Sequence, residues 1–565
     1  GCFLLWLLPS ILRARASPET RPSSPLCQQS PTKVSCKGVG LQKFPKELGQ
    51  GIKYLELSNN FIQNLSGSNM PGFGQLEYLD VCFNQLEAVS ATALAQLPRL
   101  RSLLLGSNHL NRNYLANGEA FHLLRNIEVL DLSVNNLESH MASWYISNLT
   151  SLRVLDLSGN TMTKLLAGTF QNSPRLRQLD LSNNYIMEIQ EGAFEPLEEL
   201  EVLNLAFNSL LCISGFSLTH LRVLNLSHNA LELFSSEEGA EPYLLRVLDL
   251  SHNRLLSFPE LPRAHDLTHL NLSNNLIASL LPGSPHPRKF VLLYKEMQRF
   301  NRTVHPVAAL THLDLSNNRL ELFPFSFFHS MGSLHSLSLA RNCLQDVAWD
   351  SVSNGTELPM RLLDLHSNAL RVLPHRFFNS LPHLESMDLG SNSLQPCESQ
   401  GSDQGRDLGG DSPTSAPRDI CTPFYNMPHL KHLSLSRNNI SRLQPHAFSQ
   451  TPLLSLDLSG NRDLSIPMGA LRGLELSLQE LSLRDNQMDE GQAALPCLST
   501  LRVLDLSGNH LSLLPTGLSC SPLESLNIRN NNLQTLGTVR SWSHSLRAVS
   551  VAGNPWSCCS LGWLD

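Results

Sequence analysis

Aromatic residues are scarce in this chain, at 6% of 565 positions, and charged residues make up only 16% with a net charge of −7. No run of lysine and arginine forms a stripe that could track a phosphate backbone, so nucleic acid is not an expected partner. The patterns H-E-x-x-H, G-x-S-x-G, G-x-x-x-x-G-K and G-x-G-x-x-G are absent, and the 21 histidines are scattered. An enzyme is therefore not expected, nor is a cofactor. No stretch of eighteen or more apolar residues occurs, so no segment reads as a membrane-crossing helix.

What the chain has in abundance is leucine in the frame L-x-L-x-x-N, as in Leu155-Asp-Leu-Ser-Gly-Asn160. The asparagine recurs at Asn60, Asn84, Asn108, Asn135, Asn160, Asn184, Asn208, Asn229, Asn253, Asn275, Asn318, Asn342, Asn368, Asn392, Asn438, Asn461, Asn486, Asn509, Asn531 and Asn554. Steps run from 21 to 27 residues, except 43 between Asn275 and Asn318 and 46 between Asn392 and Asn438. Such a period predicts an α/β solenoid, a leucine-rich repeat horseshoe of about 20 repeats with parallel strands on the concave face. A strand alternates its faces, so the two leucines point into the core and the residue between them points out. Asparagine carries an acceptor and two donors, enough to satisfy backbone groups of its own and a neighbouring repeat. Phe170, Phe194 and Phe448 fall where the returning segment must fill the wider side.

The frame divides the chain. Residues 1–16 read as a signal peptide: an apolar run from Cys2 to Leu12 precedes the small-x-small spacing of Ala14 and Ala16. Residues 17–49 read as an N-terminal cap, 50–278 as repeats, 279–308 as a proline-bearing insertion, and 309–394 as repeats. Then come 395–424, a disulfide-bounded loop, 425–554, the last repeats, and 555–565, the opening of a C-terminal cap. The sequons at Asn64, Asn148, Asn225, Asn271, Asn301, Asn354 and Asn439 are expected N-glycosylation sites and agree with an extracellular chain. Asn225 and Asn271 fall between the strand leucines, so glycans there would stand on the concave floor and steer a large partner to a rim or flank. The same column carries Asp at 80, 131, 156, 180, 249, 314, 364, 388, 457 and 505, which predicts an acidic inner surface if it is more than the repeat's usual spelling.

Cysteine usage is the sharpest signal. Cys27 with Cys36 is expected to staple the exposed N-terminal end, and Cys397 with Cys421 to tie the base of a Gly, Ser and Asp-rich segment that has little to bury and is expected to be dispensable. Cys558 and Cys559 are expected to form structural disulfides with partners beyond Asp565. Cys520 reads as a small core residue three positions before Leu523, and Cys82 and Cys497 admit the same reading. Cys212 and Cys343 differ, because the apolar positions around them are taken by their neighbours, which leaves both exposed. Five repeat steps put them roughly 24 Å apart at strand spacing, beyond the roughly 7 Å that a disulfide spans between Cα atoms. Exposed unpaired cysteines in a secreted chain point to intermolecular disulfides, with a free or capped thiol as the alternative. His228 and His252 share a turn position, but no third metal ligand accompanies them, so two exposed turn residues is the preferred reading.

The stretch Asn204-Leu-Ala-Phe-Asn-Ser-Leu-Leu-Cys-Ile213, followed by Leu221-Arg-Val-Leu-Asn225, resembles the family of GARP (glycoprotein A repetitions predominant) and its sister, the negative regulator of reactive oxygen species. The early repeats from Leu105 to Tyr114 look more like the sister; Leu495-Pro-Cys-Leu498 and Gly553-Asn-Pro-Trp-Ser-Cys-Cys559 look more like GARP. The resemblance implies a single-pass type I protein of the cell surface that tethers latent transforming growth factor β. It implies covalent linkage to the propeptide dimer through Cys212 and Cys343, and membrane anchoring by a segment after Asp565. The alternative is a pattern-recognition or adhesion ectodomain that binds non-covalently through its concave face and has no need of exposed thiols.

Overall fold

The computed structural model describes residues 27–45, 48, 51–69, 73–236, 242–261, 266–280, 308–324, 331–348, 357–398, 421–536 and 545–557. The expected signal peptide, Asn301, Asn354, Cys558 and Cys559 lie outside these residues, as do most of the insertion and of the loop after Cys397. The chain forms two compact units, the first running to Leu137 with Met141–Leu152, the second comprising Glu138–His140 and everything from Arg153.

In the first unit, Gln28–Gln29 pairs antiparallel with Lys33–Ser35, and the Cys27–Cys36 disulfide closes that cap with Cα atoms 4.4 Å apart. Parallel strands Tyr54–Glu56, Tyr78–Asp80, Ser102–Leu104 and Val129–Asp131 then stack in strict register on Lys33–Ser35. The second unit repeats the device from Val154–Asp156 to Ala548–Ser550. Central residues of consecutive strands, such as Leu155, Leu179, Leu203 and Leu224, pair with one another and are at most 1% exposed. The residues on either side of them are partly or largely exposed. A strand of three residues buries one side chain, so each repeat depends on its neighbours for its core.

The ladder asparagine joins the steps. Asn184 donates through Nδ2 to Leu181 O (3.1 Å) and Ser182 O (3.2 Å) in its own turn, and to Leu157 O (3.0 Å) one repeat back. Its Oδ1 accepts the Met162 N–H at 3.1 Å. The same set recurs at Asn253, Asn342 and Asn509. The residue just before each asparagine turns the chain with positive φ, which glycine supplies at Gly159 and Gly508, and asparagine at Asn183 and Asn274. Val134 takes the same conformation (φ 51°) while exposed, an unfavourable place for a β-branched side chain. Val134→Asn is therefore expected to raise the unfolding free energy by about 1 kcal/mol, read as an upward shift of the denaturant midpoint at unchanged slope.

Both long steps leave the sheet unbroken. His269–Asn271 pairs directly with His312–Asp314, and Ser386–Asp388 with His432–Ser434. At the second, the Cys397–Cys421 disulfide and a Pro396–Thr422 bridge close the base of the connection. Opposite the sheet, phenylalanines fill the larger cross-section: Phe170 and Phe448 are fully buried, and Phe194 is half-buried and stacked on Phe170 at 6.4 Å. Along one edge of the sheet, charges alternate between steps, as in Arg222 with Glu201, or Arg361 and Lys431 about Glu385, so no basic stripe forms there.

Candidate functional site

The candidate site is built on the flank that the chain enters just after each ladder asparagine. Four residues past Asn208, Cys212 opens a short strand, Cys212–Phe216, that pairs parallel with Leu233–Ser236; Cys212 lies opposite Leu233. Buried Leu210 anchors the segment from below, and Phe216 packs on Phe234 and Tyr243 at its far end. The backbone is fixed on both sides of the thiol: before it Leu210 N–H donates to Asn229 Oδ1 (3.1 Å) and Leu211 O accepts the Glu232 N–H (2.9 Å), and after it Ile213 pairs with Phe234. Cys343 sits between buried Asn342 and buried Leu344, its N–H held by Leu320 O at 2.9 Å. Both cysteines are free and exposed. Five strand pairings separate their repeats, a span of roughly 24 Å at 4.8 Å per step.

Apolar side chains stand out on the same flank near Cys212: Tyr185, Met187, Leu211, Leu233 and Leu256 are each about half exposed or more. Exposed apolar groups that recur at matching positions of consecutive repeats give a partner surface to bury beside the thiol. The third free cysteine, Cys82, is different in kind. It is part-buried, its Sγ donates to Asp131 Oδ2 at 3.6 Å, and burial, together with the Asp80 and Asp131 charges, pushes its thiol well above the ordinary range. Cys82 therefore stays a neutral thiol and a poor nucleophile.

Cys520 is not a core residue. It is exposed and joined to Cys497, with Cα atoms 5.7 Å apart. The two are 23 residues apart, one repeat step, so they occupy adjacent places outside the core while Leu518 and Leu523 fill it. That spacing was the available signal.

The aspartates of the sheet face have a backbone role. Each accepts, through Oδ1, the N–H two residues on: Asp156 from Ser158, Asp180 from Ser182 and Asp457 from Ser459, at 2.8–2.9 Å. Asn225 and Asn271 make the same bond to Ser227 and Ser273, which explains why Asn and Asp share the column. Asn204 also donates to Asp180 Oδ2 (3.0 Å), offsetting repulsion within it. Of the sequon asparagines, Asn64, Asn148 and Asn439 are exposed, whereas Asn225 and Asn271 are half-buried on the sheet face.

His228 and His252 stack with ring centres 3.9 Å apart, and Phe207 stacks on His228 at 4.1 Å; among the described residues no third metal-ligating group joins them. His269 and His312 stack likewise on the sheet face at 4.3 Å. Desolvation, then the neighbouring His269 and His335, lowers the His312 pKa below the ordinary 6.5. A lowered histidine pKa means that the folded chain prefers the neutral ring. The contribution to stability is thus complete above the ordinary value and is lost as pH falls. In an NMR titration His312 is expected to protonate below 6.5, and His269→Ser to move its midpoint upward.

Leucine-rich repeat models match residues 50–110, 125–210, 359–402 and 422–462, with shorter matches at 217–232, 244–263, 309–331 and 500–521. The solved structure of a leucine-rich repeat protein of Leptospira interrogans superposes with a TM-score of 0.53 at 23% identity, covering 79% of this chain and 95% of that one, which bears on the fold alone. Whole-chain relatives are nearer in sequence. Transforming growth factor beta activator LRRC32 of Mus musculus is 35% identical, over 99% of this chain and 87% of its own length. Transforming growth factor beta activator LRRC33 of Danio rerio is 30% identical, over 97% and 83%. Identity at this level over nearly the whole chain goes beyond a shared repeat: the chain belongs to the LRRC32/LRRC33 family of leucine-rich repeat proteins.

Proposed function

We propose that this chain is the extracellular part of a cell-surface receptor that tethers latent transforming growth factor β through disulfides from Cys212 and Cys343 to the propeptide dimer, and so governs its display and activation. The carrying observation is the pair of exposed, unpaired cysteines on rigid backbone, too far apart to join each other. The name shared by the relatives, transforming growth factor beta activator, supports the class of partner. Each link joins one Sγ of this chain to one propeptide Sγ. The two protons and two electrons released pass to the oxidising machinery of the secretory pathway. A two-fold dimer carries two equivalent cysteines and this chain two separated ones, so one chain engages one dimer. The receptor performs no catalysis.

Docking on the flank also suits the sequons, because glycans on Asn225 and Asn271 would crowd the sheet face and leave the flank clear. The test is co-expression with a latent growth factor of this class, followed by non-reducing electrophoresis. A high-mass band that collapses on reduction is expected, holding one receptor chain and one propeptide dimer. Recovery of the two proteins as separate species, or as a complex that survives only without detergent, overturns the covalent tether.

A further inference from the structure

Position four of the repeat frame is small at nearly every step: Ser158, Ser182, Ala206, Ser227, Ser251, Ser273, Ser316 and Ala340 occupy it in turn. At the next step it is His366. One step further it is Gly390, where a Cβ would meet Ser436 Oγ at 2.6 Å and Asp388 Oδ1 at 3.2 Å. His366 Nδ1 lies 2.8 Å from Asp364 Oδ1 and 4.0 Å from Asp388 Oδ2. One donor atom from each of the three residues falls within 4.8 Å of the others, and all three side chains are part-buried on the sheet face.

We propose that Asp364, His366 and Asp388 form a binding site for a divalent transition metal of the zinc class. Bonds of about 2.0–2.1 Å set tetrahedral donor atoms roughly 3.3 Å apart, and the 2.8 and 4.0 Å separations bracket that edge. An imidazole with two carboxylates is a nitrogen and oxygen donor set of the kind zinc accepts, and the charges of two aspartates balance a divalent ion. The backbone has already oriented the ligands. His366 N–H donates to Asp364 Oδ1 (3.0 Å) and Gly390 N–H to Asp388 Oδ1 (2.9 Å), which fixes both carboxylates and leaves Asp388 Oδ2 directed to the ion. Neutral His366 offers the Nδ1 lone pair with its proton on Nε2, so the ion replaces the contact between Nδ1 and Asp364. Three protein donors leave a fourth position open to solvent.

Calorimetric titration of the untagged, glycosylated chain with zinc chloride, its thiols first capped with iodoacetamide, decides the matter. One saturable equivalent is expected. His366→Ser restores the residue that the frame uses elsewhere and keeps the backbone bond to Asp364; it should abolish binding. Asp388→Asn should weaken it by about tenfold or more, and His228→Ser should leave it unchanged. No saturable binding by the unmodified chain, equal binding by His366→Ser, or loss of binding in His228→Ser would each overturn the site. Should His366→Ser fail to fold, undiminished binding by Asp388→Asn would do so instead.

Discussion

Replacing Cys212 and Cys343 together by serine is expected to abolish the disulfide-linked complex with the latent growth factor while leaving secretion of the chain intact. Neither thiol helps to hold the fold. Leu210 and Leu344 carry the burial beside them, and the backbone bonds of both segments run through main-chain atoms and through Asn229, Asn342 and Asn368. Each single change should leave one link, and so a weaker covalent band. Cys82→Ser should leave the band at full strength, because that thiol is part-buried and held neutral. A double variant that fails to leave the cell, or that retains the band, would mean the cysteines are structural.

Asn184→Leu is expected to be among the most destabilising single changes in the chain. It leaves the buried Met162 N–H without its acceptor and takes one of two hydrogen bonds from each of Leu157 O, Leu181 O and Ser182 O, which keep Asn160, Asn208 and the Gly159 N–H as donors. At about 1–3 kcal/mol for the unsatisfied N–H and about 0.5–1.5 kcal/mol for each of the other bonds lost, the cost is roughly 3 kcal/mol or more. A leucine of similar size fills the volume but returns none of the bonds. Asn486 provides the comparison: its Oδ1 accepts the Asn461 N–H, but its Nδ2 has no partner, so Asn486→Leu should cost clearly less. Thermal unfolding of the two variants beside the unmodified chain measures the difference. Equal midpoints for all three would mean that asparagine is not what joins the steps.

The repeat frame was legible in the sequence because one physical requirement is stated at every turn: two leucines inward, one polar residue outward, one asparagine bonding across the step. The exposure of Cys212 and Cys343 followed from the same frame, since Leu210 and Leu344 occupy the inward places beside them. What escaped was whatever depends on laying one repeat over another. Cys497 and Cys520 are partners because 23 residues is one step, a relation seen by comparing residues across repeats, whereas position within a repeat suggested a core place for Cys520. His366 is unremarkable by itself; it acquires neighbours only when Asp364, Asp388 and Gly390 are set beside it. The aspartate column read as an acidic surface, yet its first role is to hold the N–H two residues on, a bond that Asn225 and Asn271 make equally well.

In the proposed tether, two particular sulfurs join this chain to its partner. Peptide mapping of the co-expressed complex, alkylated before non-reducing digestion and analysed by mass spectrometry, tests it most directly. Cys212 and Cys343 should each be recovered bonded to a propeptide cysteine, while Cys497 is recovered bonded to Cys520 within the chain. Recovery of Cys212 and Cys343 from the complex as alkylated thiols would contradict the tether.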